Sequence, residues 1–275
     1  KDIVNYMSVD QNSLAPIMSN PENVYSLGPN AYGKPATALN ILRETIMGEE
    51  LFDHAFKTYS KRWMFKHPTP EDFFRTMEDA SAVDLDWFWR GWFYTTDYVD
   101  IGISEVKQYY VSTEPGSEMK KMMEERGVSR KNLRPLVYLE DFENDTKNQK
   151  EGNPLDNSKL LNNYLNENYS EEELSNLNIP KYFYEIVFDK PGGLVMPIIV
   201  DYEYEDGTKE RITYPVQIWR KNDDRVSKMV TSNKKIVNII LDPDLETADI
   251  DTSNNSWPKK QDDSDFDNFK AKIKG

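Results

Sequence analysis

The segment YGKPATALNILRETIMGEELFDHAFKTYSKRW, residues 32–63, spaces its apolar side chains as amphipathic helices do. Proline is favoured in a first helical turn and glycine just past a helix end, so Pro35 and Gly48 bracket one predicted helix. Its aliphatic side chains recur at helical spacing: Leu39, Leu42 and Ile46. A second predicted helix carries one apolar stripe: Phe52, Ala55, Phe56, Tyr59 and Trp63.

Two further helices are predicted downstream. In HPTPEDFF, residues 67–74, Thr69 is a candidate N-cap before Pro70, and Asp72 lies in the capping-box position. In DLDWFWRGWFYTTDY, residues 84–98, the large side chains fall on one side: Leu85, Phe88, Trp89, Trp92 and Phe93. This stripe is interpreted as core, not as a cofactor site. Residues 35–95 therefore predict a packed bundle of four helices.

The periodicity changes after residue 100. Ile101, Ile103 and Val106 begin an extended stretch that runs to about Val111. Residues 113–180 are polar, acidic and rich in Asn, and they predict an insertion with short helices near 117–126 and 157–168. From residue 181 the apolar side chains alternate, as in strands: Tyr182, Tyr184, Ile186 and Phe188, then Ile198, Val200, Tyr202 and Tyr204.

A hairpin is predicted at Asp206-Gly207, a pair that favours a two-residue turn. The return strand alternates its apolar residues: Ile212, Tyr214, Val216 and Ile218. A last strand is predicted over 236–241. The expected fold is α+β: a helical part over 1–98, then a β-sandwich over 99–250 interrupted by the insertion, then a polar tail with a weak helix over 251–275.

Composition excludes several classes of function. The formal net charge of −14 argues against a nucleic-acid partner, which needs a basic face. The chain has no cysteine, so disulfides, thiolate metal sites and cysteine nucleophiles are excluded. No apolar run approaches the length of about 20 residues that spans a bilayer. Lys1 to Tyr6 do not form a signal peptide and look like the end of a helix, so we expect a truncated chain.

A direct search for catalytic motifs finds little. The two histidines, His54 and His67, are not spaced for a zinc site, and no H-E-x-x-H is present. We interpret His54 as a polar helix residue and His67 as a turn residue. Gly192-Gly193 lies between predicted strands and is typical of a turn. Asp84 and Asp86 are expected to charge a helix N-terminus.

The ordered motifs of residues 25–112 nevertheless resemble one family. Tyr32-Gly33-Lys34-Pro35 opening a helix, followed by HPTPEDFF and DLDWFWRGWFYTTDY, is similar to the segments that close the catalytic domain of aminopeptidase N-type gluzincins. The strands of 181–250, including GGLVMPIIVDYEYEDGT at 192–208, resemble the sandwich that follows in that family. Pro35 replaces a common glycine of the tyrosine motif, and the insertion is not covered.

The resemblance implies a thermolysin-like catalytic domain whose zinc ligands lie upstream, so no zinc or other cofactor is expected in this chain. It implies that Tyr32 donates a hydrogen bond to the oxyanion formed during peptide hydrolysis, a role suited to a phenol that stays neutral near pH 7. Lys34 is expected to position the local backbone or to pair with an acid. Tyr25, a second tyrosine just upstream, receives no role.

Two other functions remain open. A relative that has lost catalysis could be a binding scaffold, and a stand-alone carbohydrate- or protein-binding sandwich is a third possibility that leaves the helical part unexplained. For the peptidase, the expected partner is a peptide substrate. A truncated helical part should also expose apolar surface and self-associate. Composition and resemblance suggest a bacterial protein, periplasmic or attached to the cell surface.

Overall fold

The structure is a computed structural model that describes residues 2–111, 117–127, 136–138, 158–175 and 180–259. The described residues contain α1 (Asp2–Met7), α2 (Lys34–Ile41), α3 (Glu49–Trp63), α4 (Pro70–Ser81), α5 (Asp86–Tyr94), α6 (Ser117–Arg126), α7 (Ser158–Asn168) and α8 (Glu171–Ser175). They also contain β1 (Gly102–Val111), β2 (Leu136–Tyr138), β3 (Tyr182–Asp189), β4 (Ile198–Tyr204), β5 (Lys209–Tyr214), β6 (Arg225–Ser232), β7 (Ile236–Leu241) and β8 (Ser256–Trp257).

The α+β class is confirmed, with helices in the first part of the chain and two antiparallel four-stranded sheets after it. Among the described residues, no helix is long and apolar enough to cross a membrane. The two short helices predicted in the insertion are confirmed as α6 and α7. The remainder of the insertion lies largely outside the described residues, as does the weak helix predicted in the tail.

Aromatic side chains hold α3, α4 and α5 together. The ring centroids of Tyr59 and Phe73 lie 4.9 Å apart across α3 and α4, edge to face. Phe74 of α4 stacks on Trp89 of α5 at 4.6 Å. The predicted stripe of α5 is confirmed, because its members are all buried: Leu85, Phe88, Trp89, Trp92 and Phe93. The predicted cap of α4 is also confirmed, since Thr69 and Asp72 form a reciprocal capping box.

Helical conformation begins earlier than the predicted start at Pro35. A π-helical turn at Pro29–Gly33 leads into α2, and a second one at Leu42–Met47 leads out of it to Gly48. In the first turn the Lys34 amide donates to the carbonyl of Pro29, five residues back. Proline lacks an amide hydrogen and its ring crowds the preceding turn, and a wider turn before Pro35 relieves that conflict.

The two sheets have the strand orders β2-β1-β3-β6 and β5-β4-β7-β8. Their inner side chains belong to one hydrophobic cluster that continues into the helical part. The two sheets are joined by a buried hydrogen bond in which the Ile236 amide of β7 donates to the Tyr184 hydroxyl of β3 at 3.0 Å. Within the second sheet, the Tyr202 and Tyr214 hydroxyls pair at 3.0 Å. These phenols satisfy one another inside an otherwise apolar core.

Two sequence predictions for the sheets need correction. The return strand ends at Tyr214, because Pro215 has no amide to donate, and Val216 and Ile218 lie in a 3₁₀ helix at Val216–Arg220. Residues predicted as the start of a polar tail instead form a 3₁₀ turn at Thr252–Asn254 and the strand β8, which pairs with β7.

The helical part is joined to the sheets by backbone contacts. Tyr98 donates its amide to the carbonyl of Gly192 at 3.0 Å, and Leu194 returns a bond to Tyr98 at 3.1 Å. The Ile250 amide donates to the carbonyl of Val99 at 3.0 Å. Gly192-Gly193 is therefore a turn that the end of the helical part packs against, in agreement with the interpretation as a turn.

Candidate functional site

Tyr32 is an exposed residue on a helical turn whose other side is buried. Its side chain is 76% accessible, whereas Asn30 and Lys34 on either side are each 3% accessible. The turn is the π-helical segment Pro29–Gly33, so the phenol projects from a helix start and not from a loop. Because its buried neighbours anchor the backbone of the turn, the exposed hydroxyl of Tyr32 can meet a ligand with little loss of conformational freedom.

Asn30 fixes the first half of this turn. Its side-chain amide donates to the carbonyl of Ala15 at 2.7 Å and to the Tyr6 hydroxyl at 3.5 Å. Both contacts tie the turn to the chain that precedes it. Sequence reasoning missed Asn30, because an asparagine after proline carries no local signal of burial.

Lys34 fixes the second half. Its Nζ donates to the main-chain carbonyls of Thr95 at 3.2 Å and Asp97 at 3.3 Å, just past the end of α5. Burial lowers the pKa of Lys34 to about 8, and the nearby charge of Asp97 partly opposes that shift. Lys34 therefore positions backbone, which is one of the two roles expected for it. It connects the Tyr32 turn to the junction with the sheets.

Neither histidine belongs to this turn. His54 lies on α3 and His67 in the turn before α4, and both are exposed. In the described part of the chain, no group of three His, Cys, Asp or Glu side chains is placed to hold a metal ion.

The carboxylates expected at a helix N-terminus do lie there. The Asp84 carboxylate accepts the Asp86 amide at 3.3 Å just before α5, and Asp86 is in the first turn of that helix. Upstream of the candidate turn, Tyr25 is 98% accessible. Tyr25 is thus also exposed to a ligand. The residues beside Tyr25 are not buried, however, so they do not anchor its backbone as Asn30 and Lys34 anchor that of Tyr32.

The large apolar side chains that are more than half accessible in the described helical part fall into two groups. One group lies on the candidate turn and just before it, and consists of Tyr25, Leu27, which is 51% accessible, and Tyr32. The other follows α3, where Met64 is 56% and Phe65 is 98% accessible. Phe65 also has a left-handed backbone, with φ of 59°. Exposed aromatic side chains of this kind are common at surfaces that meet another molecule.

Comparison with known proteins gives a loose structural likeness. No protein-family model matches the chain, and no curated protein matches it. Among solved structures, it is similar to the crystal structure of Legionella pneumophila aminopeptidase A in complex with aspartic acid, with a TM-score of 0.41 and 12% sequence identity. The match covers 80% of this chain and 17% of that one, so this chain spans about a sixth of that structure's length. A likeness this loose carries no functional argument of its own.

Proposed function

We propose that these 275 residues form the C-terminal part of a zinc-dependent metallopeptidase of the aminopeptidase N type. In this proposal the zinc ligands belong to sequence outside this chain, and the isolated chain neither hydrolyses peptides nor binds zinc tightly. One observation carries the proposal: Tyr32 is an exposed phenol on a turn that Asn30 and Lys34 fix from the buried side. The ordered motifs of residues 25–112 support it.

Tyr32 would act as a hydrogen-bond donor to an oxyanion. A phenol donates to developing negative charge and stays neutral near pH 7. Donors that stabilise a transition state must already be in place when charge develops, since reorganisation costs free energy. The tethers at Asn30 and Lys34 meet that requirement because they hold the backbone on both sides of Tyr32.

The test is the activity of the parent protein on aminoacyl-amide substrates, comparing wild type with Tyr32→Phe. Phenylalanine keeps the ring and removes the hydroxyl, so we expect kcat to fall about 100- to 1,000-fold with unchanged zinc content. Tyr25→Phe is the matched control, because it makes the same change at a neighbouring exposed tyrosine and should keep full activity. Wild-type hydrolysis should be lost on addition of a zinc chelator.

Two results would argue against this proposal in different ways. Full activity of Tyr32→Phe would keep the peptidase and discard the assignment of Tyr32. A parent that contains no zinc and shows no hydrolysis over a broad substrate panel would favour the non-catalytic scaffold. The exposed aromatic side chains at Tyr25 and Phe65 would then be the first surfaces to test for a partner or for self-association.

A further inference from the structure

A cleft lies between the helical part and the loop that follows β7. Its volume is about 760 Å³, within the range of about 300–1,000 Å³ that small-ligand sites occupy. One wall is formed by α1, α2 and the π-helical segment Leu42–Met47, and the other by residues 244–252. Tyr32 is not among the residues that line it. The cleft is therefore separate from the candidate site described above.

Both walls depart from regular backbone geometry. The π-helical segment contributes Glu44 and Thr45, and single π-turns inside helices occur frequently at functional sites. The opposite loop holds two lining residues that are not glycine in the left-handed region, Leu245 with φ of 56° and Ala248 with φ of 62°. Such residues tend to cluster where a binding surface is held in one conformation.

The lining of the cleft combines apolar surface with negative charge. The apolar part includes Ile3, Ile41, Ala248 and Ile250, and the ionisable residues are all acidic: Glu44, Asp244, Glu246 and Asp249. An apolar cavity with a few polar groups is the usual composition of a site for an organic ligand. Here every ionisable group on the wall has the same sign.

Two of the four carboxylates are already paired. Arg43 bonds to Glu44, and Arg211 bonds to Asp244. Within the described residues, no Lys, Arg or His forms an ion pair with Glu246 or Asp249. Asp249 is only 6% accessible and receives bonds from neutral donors alone, the Ile101 and Asp251 amides and the Asn255 side chain. These three bonds and the raised pKa of Asp249 offset the cost of burying it, so the lining carboxylate left to meet a cation is that of Glu246.

We propose that this cleft binds an organic cation, namely a primary ammonium group on an apolar stem, with Glu246 as its ionic partner. The stem would pack on Ile41 and Ile250 while the ammonium group meets the Glu246 carboxylate. Among the described residues, no three acidic side chains are placed to share a metal ion, so this lining suits an organic cation better than a metal ion. A lysine side chain of a peptide and a free alkyl diamine share this chemistry.

The test measures binding of cadaverine to the protein by calorimetry at low salt, with the neutral diol of the same length as the ligand control. We expect saturable binding of cadaverine, little binding of the diol, and weaker cadaverine binding at high salt. Glu246→Gln should weaken cadaverine binding about five-fold. Glu125→Gln is the matched control, since Glu125 is exposed on α6 and is not among the residues that line the cleft, and the change in net charge is the same.

A second variant and a second ligand complete the test. Asn40→Trp places a large ring at an exposed position on the cleft wall and should abolish binding by occupying the space. Tighter binding of an N-acetylated lysine amide than of cadaverine would assign the site to a peptide, and the reverse to a free amine. Absence of saturable binding, equal affinity for the diol, or an equal loss in Glu125→Gln would overturn the proposal. None of these outcomes depends on peptidase activity.

Discussion

At the scale of single residues, Asp249 makes the stability of the molecule depend on pH. Burial raises its pKa to about 6 from an ordinary value of 3.8, and hydrogen bonds from Ile101, Asp251 and Asn255 only partly oppose that shift. The neighbouring Asp100 acts in the same direction and has a raised pKa of its own, mainly through burial. The folded state therefore retains a proton that the unfolded chain would release.

The sign of the effect follows from linkage. Because the pKa is higher in the folded state, the stabilising contribution of Asp249 is fully present below about pH 4 and is lost as pH rises through about 6. Over that interval the free energy of unfolding of the wild type should fall by about 1–3 kcal/mol through this residue. Asp249→Asn keeps an acceptor for the Ile101 amide but does not titrate, so the variant should not show this fall. Denaturant unfolding of wild type and variant at several pH values measures this. Parallel pH profiles for the two proteins would contradict the prediction.

The structural role of some residues can be predicted from the sequence, and the role of others cannot. The capping role of Thr69 is readable because its partner Asp72 is three residues away. The partners of Lys34 lie 61 and 63 residues downstream, and no local pattern reveals them. Tyr32 was assigned by resemblance to a family, whereas Asn30 and the carboxylates of the cleft were missed. Those side chains acquire their roles only when distant segments meet.

At the scale of secondary structure, the start of α4 is stabilised by its capping box. The Thr69 hydroxyl accepts the Asp72 amide at 3.4 Å, and the Asp72 carboxylate accepts the Thr69 amide at 2.9 Å. Thr69→Ala removes one half of this pair, so we expect a loss of about 1 kcal/mol in the free energy of unfolding. Thr69→Ser keeps a hydroxyl and should lose much less. Equal losses for the two variants would show that the hydroxyl does not cap α4.

The strands show where pattern reading succeeds and where it fails. β3 alternates four buried apolar side chains, and period-two alternation predicted it correctly. β6 lies at the edge of its sheet and is mostly exposed, so it has little apolar alternation to detect. The predicted return strand ran too far because Val216 and Ile218 keep the alternation after Pro215 has ended the ladder. Pairing of backbone groups decides these cases, and side-chain pattern does not report it.

At the scale of the whole molecule, the order of helices followed by strands was predicted, but the partners of the strands were not. β1 pairs with β3 across the entire insertion, and β8 joins β7 from a segment that looked like a tail. Such contacts bring together residues that are far apart in the chain, and many pairings satisfy the same apolar pattern. Packing of the shared core selects which strands pair and in which register.

The junction between the helical part and the sheets depends on close backbone approach at Gly192. A Cβ there would lie 2.4 Å from both the Tyr98 carbonyl oxygen and the Asp100 amide nitrogen, so the two segments would have to separate. We expect Gly192→Ala to destabilise the protein by about 1–3 kcal/mol, as overpacking does. Thermal unfolding measures it. Gly28→Ala is the control, because a Cβ at Gly28 meets nothing within 4 Å; an equal fall in Tm for both variants would contradict the prediction.

The aromatic packing of α4 and α5 has an optical consequence. Trp89 and Trp92 are almost fully buried, and their indole nitrogens have no hydrogen-bond partner in the described residues. Indoles in such dry surroundings emit at shorter wavelengths than indoles in water. Trp89 is also stacked on Phe74, with ring planes 18° apart, which holds the transition dipoles in a fixed asymmetric arrangement. The contribution of these two indoles to near-ultraviolet circular dichroism should therefore report the melting of the helical part, beside the contribution of the buried tyrosines of the sheets.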